Sequence, residues 1–213
     1  MPGFFDSHCA THSYIHIVSY FKAGMAKDSD KSLLPLIRLC KKGDRSAQFN
    51  LYRRFYRFGM GICLRYASSE EDAREIVNDA FFNIFTKLKQ YDEQRTFVSW
   101  ARKVFIHAAI DYLRKYKSNP STEELEQVPE SEFEPESINW MHADEIAQLI
   151  GQLPPQYRAV YNLYEIEGYK HEEIGKLLGI STGTSKSNLA RARKKMELIV
   201  ANYLKHNYPK YER

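Results

Sequence analysis

Between Ser181 and Lys195 the chain carries five basic residues, Lys186, Arg191, Arg193, Lys194 and Lys195, and no acid. Short polar side chains crowd the start of the same stretch: Thr182, Thr184, Ser185, Ser187 and Asn188. Short polar groups can hydrogen-bond base edges and cations can pair with phosphates, which is what a helix lying in a major groove needs. A second group interleaves rings and cations. Tyr91, Phe97, Trp100 and Phe105 are interleaved with Lys89, Arg95, Arg102, Lys103, Arg114, Lys115 and Lys117. Rings offer stacking surface to unpaired bases, and cations follow a phosphate backbone. A base taken out of a duplex needs a pocket that reads its edge, and the polar loop Lys89–Thr96 is a candidate for it. A third group is acidic and amidic. Glu75, Asn78, Asp79 and Phe82 recur at three- and four-residue spacing, with Thr86 beside them. An exposed ring bordered by such groups suits protein docking. Each group also has a plainer reading: a solvated basic face, a core aromatic stripe that takes in Trp100 and Phe105, and a solvated face with one stray ring.

The elements that position these groups read as helices. Ser68-Ser69-Glu70-Glu71-Asp72 is a helix start, with caps and acids in the first turn. Behind it Ala73, Ile76, Val77, Ala80, Phe81, Ile84, Phe85 and Leu88 form an apolar stripe at helical period. A helix from about Phe97 to Tyr116 follows the polar loop. Upstream, Gly43-Asp44 separates a segment from about Leu33 to Cys40 from a helix with Phe49, Tyr52, Phe55, Tyr56 and Met60 on one side. Downstream, Ile146, Leu149, Ile150 and Leu153 form one amphipathic helix. Pro155 opens the next, which carries Val160, Tyr161, Leu163 and Tyr164. Two short helices then form a helix-turn-helix. The first runs from His171 to a stop at Gly179, and the second starts at Ser181–Thr184 with Leu189, Ala192 and Met196 facing inward. No hairpin dipeptide or sustained period-two alternation is present, so the fold class is all-α.

Charge divides the chain. Residues 1–117 hold 20 basic and 12 acidic residues, and residues 141–213 hold 11 and 8. Between them, Ser118–Trp140 holds seven glutamates, three prolines and no Lys or Arg. Such a strip buries too little to offset its ordering entropy and reads as a flexible, extended acidic linker. The expected organisation is two small helical domains, 28–117 and 141–207, joined by the linker 118–140. An N-terminal extension (1–27) and a tail (208–213) flank them. No apolar run approaches the ~20 residues of a membrane-spanning helix. Three scattered cysteines are too few for a disulfide scaffold and point to a cytoplasmic setting.

Taken together, these residues resemble the bacterial sigma factor family, in its small two-domain extracytoplasmic-function group. The resemblance is carried by Asp72–Phe85, by Phe97-Val-Ser-Trp100 through Ala109–Lys115, by Leu153–Arg158, and by Gly179–Arg193. It implies a protein that binds core RNA polymerase and directs it to promoters, with catalysis left to the polymerase. It places Glu75, Asn78, Asp79 and Phe82 on the polymerase clamp. Lys89, Gln90, Arg95, Thr96, Trp100, Arg102, Lys103, His107 and Arg114 fall on the −10 element, which is melted and from which a base is captured. Thr182, Thr184, Ser185, Lys186, Ser187, Asn188, Arg191 and Lys194 fall on the −35 element, and the acidic linker toward the RNA exit path. An inhibitory anti-sigma factor is a further partner the family admits. The sequence departs from the family's usual pattern at His107, Ser185, Asn78 and Asn188, and the first and last bear on promoter sequence.

His8, Cys9, His12 and His16 lack a second ligand cluster, so no metal or other cofactor is expected. Met25, just ahead of the matching region, is an alternative start. The competing function is a helix-turn-helix regulator that binds DNA without being a polymerase subunit. The docking patch and the separate basic-aromatic block argue against it, since such a regulator needs neither. An enzyme has no nucleophile-and-base set or phosphate loop to support it.

Overall fold

A computed structural model of the protein describes residues 30–116 and 143–207. The acidic strip, the N-terminal extension with its His/Cys group and Met25, and the tail lie outside the described residues. The chain divides into two compact units, one of them Met25–Pro120. Among the described residues every regular element is helical, as expected.

The first unit packs four helices: α1 (Asp30–Lys41), α2 (Arg45–Cys63), α3 (Glu70–Lys87) and α4 (Phe97–Tyr116). Ser69 caps α3, its hydroxyl accepting from the Asp72 amide, and three acids fill the first turn beside the positive end of the helix dipole. The stripe of α3 turns inward as its spacing predicts, Ala73, Ile76, Val77, Ala80, Phe81 and Ile84 all being buried. It meets α4 in the most extensive helix pairing of the unit. The core between them is aromatic. Phe105 meets Phe81 and Phe58 edge-on at 5.4 and 5.8 Å, and Phe97 meets Phe55 edge-on at 5.0 Å.

On α2 the buried face differs from expectation. Ala47, Leu51, Phe55, Gly59 and Ile62 point inward, while Phe49 is 59% exposed under the Arg53 guanidinium. The small residue at position 59 lets the neighbouring helix approach closely. At Gly59 the approach is tight enough that a Cβ would overlap the Phe105 ring. That ring is fully buried and cannot swing aside. Gly59→Ala is therefore expected to destabilise the first unit by about 1–3 kcal/mol despite the better helix propensity of alanine. Urea denaturation of the full chain measures it, and an unchanged or higher midpoint would contradict the packing.

The second unit holds α5 (Ala143–Gly151), α6 (Pro155–Tyr161), α7 (His171–Leu178) and α8 (Thr182–Asn207). Ile146, Leu149, Ile150 and Leu153 are all buried, and Pro155 opens α6. The buried Arg158 donates to the carbonyl of Gly151, satisfying an acceptor at the end of α5. A π-helical turn, Asn162–Ile166, extends α6 and was not legible in the sequence. Between α7 and α8, Gly179 sits at φ 65°, ψ 38°, the left-handed conformation that a sharp turn requires. Gly175 is buried, and a Cβ there would lie 2.8 Å from the Ile180 carbonyl oxygen. The second helix of the pair is not short: α8 runs for 26 residues. It packs on α6, α7 and α5, so its apolar face has partners far beyond Met196.

Candidate functional site

The docking patch stands on α3. Glu75, Asn78 and Asp79 are exposed, and Phe82 is 70% exposed. Because the inward stripe uses positions 73, 76, 77, 80, 81 and 84, helical period leaves these four on the solvent side. Asn78 Oδ1 accepts from the Tyr52 hydroxyl of α2 at 3.4 Å, and Thr86 donates to the Phe82 carbonyl at 2.8 Å. The patch therefore sits on a rigid helix.

The loop between α3 and α4 is tied down rather than open. It begins with a 3-10 turn, Leu88–Gln90, on which Lys89 and Gln90 are exposed. Tyr91 is buried, meets Phe97 edge-on and Trp100 at a tilt, and donates its hydroxyl hydrogen to the Arg95 carbonyl. Glu93 binds α1 twice, its Oε2 3.0 Å from Arg38 and its Oε1 3.0 Å from Lys41. Lys41 also donates to the Tyr91 carbonyl at 3.2 Å. Thr96 Oγ1 accepts from the Ser99 amide at 3.4 Å and pairs with the Ser99 hydroxyl at 2.6 Å, so it caps α4.

The hydrogen bonds from Lys41 and then Arg38 hold the Glu93 carboxyl below the usual glutamate range. A depressed folded-state pKa means that the tether is at full strength above the ordinary glutamate value. It is lost as pH falls through the lowered one. Trp100 touches Tyr91, so its fluorescence, read in a Trp140→Phe background, is expected to hold steady through the ordinary glutamate range and to shift only at more acid pH. Glu93→Gln should show the acid-side signal at neutral pH. A titration at the ordinary glutamate value would contradict the tether.

Beside the loop lies a groove of about 330 Å³ between α3 and α4. Trp100, Lys103 and His107 line it from α4, as do Val104, Ala108 and Asp111, and Asn83 and Lys87 complete it from α3. Of the expected −10 residues, the structure gathers Trp100, Lys103 and His107 here. Lys89, Gln90, Arg95, Thr96, Arg102 and Arg114 do not line the groove, and Arg114 instead pairs with Asp111 at 3.5 Å. Asn83, Lys87 and Asp111 were missed. Their i, i+4 spacing within each helix is visible in the sequence, but which face of α3 meets which face of α4 is not. Of the interleaved rings, Tyr91, Phe97 and Phe105 are core, and Trp100 alone keeps a partly open face.

On α8, Ser181 caps the helix, its hydroxyl accepting from the Thr184 amide at 2.9 Å. Thr184, Lys186, Ser187, Arg191 and Lys194 are exposed, and Thr182 is half-buried. Ser185 and Asn188 are corrected. Both are buried, at 0% and 5% exposure, and cannot read base edges. They lie on the inward face with Leu189, Ala192 and Met196. Their polarity suggested exposure, but for Ser185 an internal hydrogen bond, 2.9 Å to His171 Nδ1, satisfies it instead.

Among the described residues no group of three or more His, Cys, Asp or Glu could hold a metal, and no helix is long and apolar enough to cross a membrane.

Comparison with known proteins closes on the same surfaces. The profile of Sigma-70 region 2 matches residues 51–119, which take in the docking patch and the groove. The profile of Sigma-70, region 4 matches residues 143–196, which take in the helix-turn-helix. The ECF RNA polymerase sigma factor SigE of Mycolicibacterium smegmatis is 27% identical over 67% of this chain and 57% of its own length. The ECF RNA polymerase sigma factor SigM of Mycobacterium tuberculosis is 25% identical over 83% of this chain and 89% of its own length. The ECF RNA polymerase sigma-E factor of Escherichia coli K12 is 26% identical over 76% of this chain and 91% of its own length. With the two region profiles together spanning more than half of its residues, the chain belongs to the sigma-70 family, in the extracytoplasmic-function group of RNA polymerase sigma factors.

Proposed function

We propose that this chain acts as a polymerase subunit for initiation: it binds core RNA polymerase, brings it to promoters and helps to melt them. Its two helical domains, 28–117 and 141–207, divide the labour. On the first, Glu75, Asn78, Asp79 and Phe82 grip the polymerase. On that domain too, the groove at Trp100, Lys103 and His107 takes the unpaired −10 strand, with Lys89, Gln90, Arg95, Thr96, Arg102 and Arg114 along its approaches. On the second, Thr182, Thr184, Lys186, Ser187, Arg191 and Lys194 of α8 face the −35 duplex. The protein works in the cytoplasm, performs no chemistry of its own, and is open to restraint by an anti-sigma factor.

One observation carries the reading. The exposed acidic-aromatic face of α3 and the cation-lined groove sit on a single small helical unit, and a helix-turn-helix with an exposed basic face is added in the other. A regulator that only binds DNA has no use for the first two. Run-off transcription with purified core polymerase on a genomic fragment library is the test. Promoter-specific transcripts that depend on the protein are expected. Their absence, together with no binding to core polymerase, would reject the proposal.

A further inference from the structure

The inward turn of Ser185 removes it from the reading surface and raises the question of what a hydroxyl does there. It sits in the first turn of α8, fully buried, with its Oγ 2.9 Å from Nδ1 of His171, the first residue of α7. The His171 ring stacks on Tyr164, centroids 4.6 Å apart and planes 23° apart. Tyr164 belongs to the π-helical turn, and such turns recur at functional sites. The guanidinium of Arg193 lies 5.7 Å from the same tyrosine ring. Arg193 also grips Glu165, next to Tyr164, with its Nε at 2.7 Å and an Nη at 2.6 Å from one carboxylate oxygen.

Helix α8 is thus held to one small cluster at two points, Ser185 and Arg193, about 12 Å apart along its axis. Apolar packing through Leu189, Ala192 and Met196 is non-directional and tolerates small rotations. Hydrogen bonds, and an ion pair in which two guanidinium nitrogens share one carboxylate oxygen, are directional and do not. The first tether lies between Thr184 and Lys186, two of the exposed residues nearest the helix start, so its geometry decides where both project.

We propose that Ser185 and His171 are positioning residues that set the sequence discrimination of the α8 reader without touching DNA. Tyr164 orients His171, and the Arg193–Glu165 pair holds the far end of the same clamp. The inference rests on the reading of α8 as the −35 recognition helix.

The test uses holoenzyme assembled from core polymerase and the full chain, on a promoter recovered by run-off selection. That promoter is used intact and with single base pairs of its −35 element substituted. Ser185→Val removes the hydroxyl while filling its space. His171→Phe keeps the ring on Tyr164 but removes the nitrogen. Each is expected to lower the ratio of intact to substituted promoter affinity about fivefold to tenfold, the weight of one internal hydrogen bond. The double variant should lose no more than either single one, because both remove the same contact. Affinity for non-promoter DNA and its salt dependence should stay unchanged, while the thermal midpoint falls by a few degrees in both single variants, as the loss of one buried hydrogen bond requires.

An unchanged ratio, additive losses, or equal loss on intact and substituted promoters overturns the proposal. If Ser185→Val unfolds the second unit, His171→Phe decides alone, since it leaves the buried position intact. Wild-type holoenzyme that ignores −35 substitutions would instead overturn the assignment of α8 as reader, an outcome separable from the first because no variant is involved.

Discussion

Phe82→Ser weakens binding of core RNA polymerase by about thirtyfold, the about 2 kcal/mol that a central interface hot spot carries. The ring is 70% exposed on a helix whose inward stripe does not include it, so the fold loses no packing. Asp79→Ala, beside it on the same face, has a smaller effect in the same direction. Saturating core polymerase should restore promoter-dependent transcription to both, because neither residue lies in the groove. Lys186→Ala gives the opposite pattern. Core binding stays unchanged, while promoter affinity falls severalfold and its salt dependence shallows by about one phosphate contact. Fluorescence titration with labelled core polymerase and filter binding to promoter DNA separate the two losses. Should Phe82→Ser and Lys186→Ala both weaken only DNA binding, the division of labour is wrong.

Lys103→Glu should reduce transcription from a duplex promoter by roughly thirtyfold or more, about 2 kcal/mol in a site that holds a phosphate strand. Lys103 is exposed on α4 and lines the groove with Trp100 and His107. Lys87 approaches from α3, while the carboxylate of Asp111 at the other end is drawn toward Arg114. Reversing the charge at position 103 sets a second carboxylate against the incoming backbone. A template opened in advance across the −10 element removes the cost of melting but still lays its strand in the groove, so the same variant should recover only part of its activity there. Equal loss on duplex and opened templates would move Lys103 from melting to a general contact. An unchanged rate on both would remove the groove from the site altogether.

Much of this molecule was legible before its structure. The Ser69 cap, the stripe from Ala73 to Ile84, the apolar set Ile146–Leu153, Pro155 at the head of α6 and the Gly179 turn are local features. Each is fixed by hydrogen bonds or periodicity within a few residues, and local rules read them correctly. The exposed docking face followed from the same arithmetic: once the inward stripe of α3 is set, Glu75, Asn78, Asp79 and Phe82 have only the solvent side left.

Where the reading failed, the deciding contact came from elsewhere in the chain. Phe49 shares a side of α2 with Phe55 by helical period but is exposed, while Gly59 and Phe105, 46 residues apart in sequence, interlock. Ser185 has the polarity of a base reader but faces inward, where His171 of the preceding helix supplies its partner. The loop Lys89–Thr96 is laced to α1 through Glu93, and a groove opens beside it between α3 and α4, an arrangement set by contacts between helices. Sequence by itself determined the helices, their exposed chemistry and the separation of two basic regions by an acidic strip, since propensity, capping and charge act over short range. Only the tertiary structure decided which polar residues are satisfied internally and which remain for a partner. A hydroxyl or a ring has no fixed side of its own, and it is the neighbouring helix that offers the hydrogen bond or the hole.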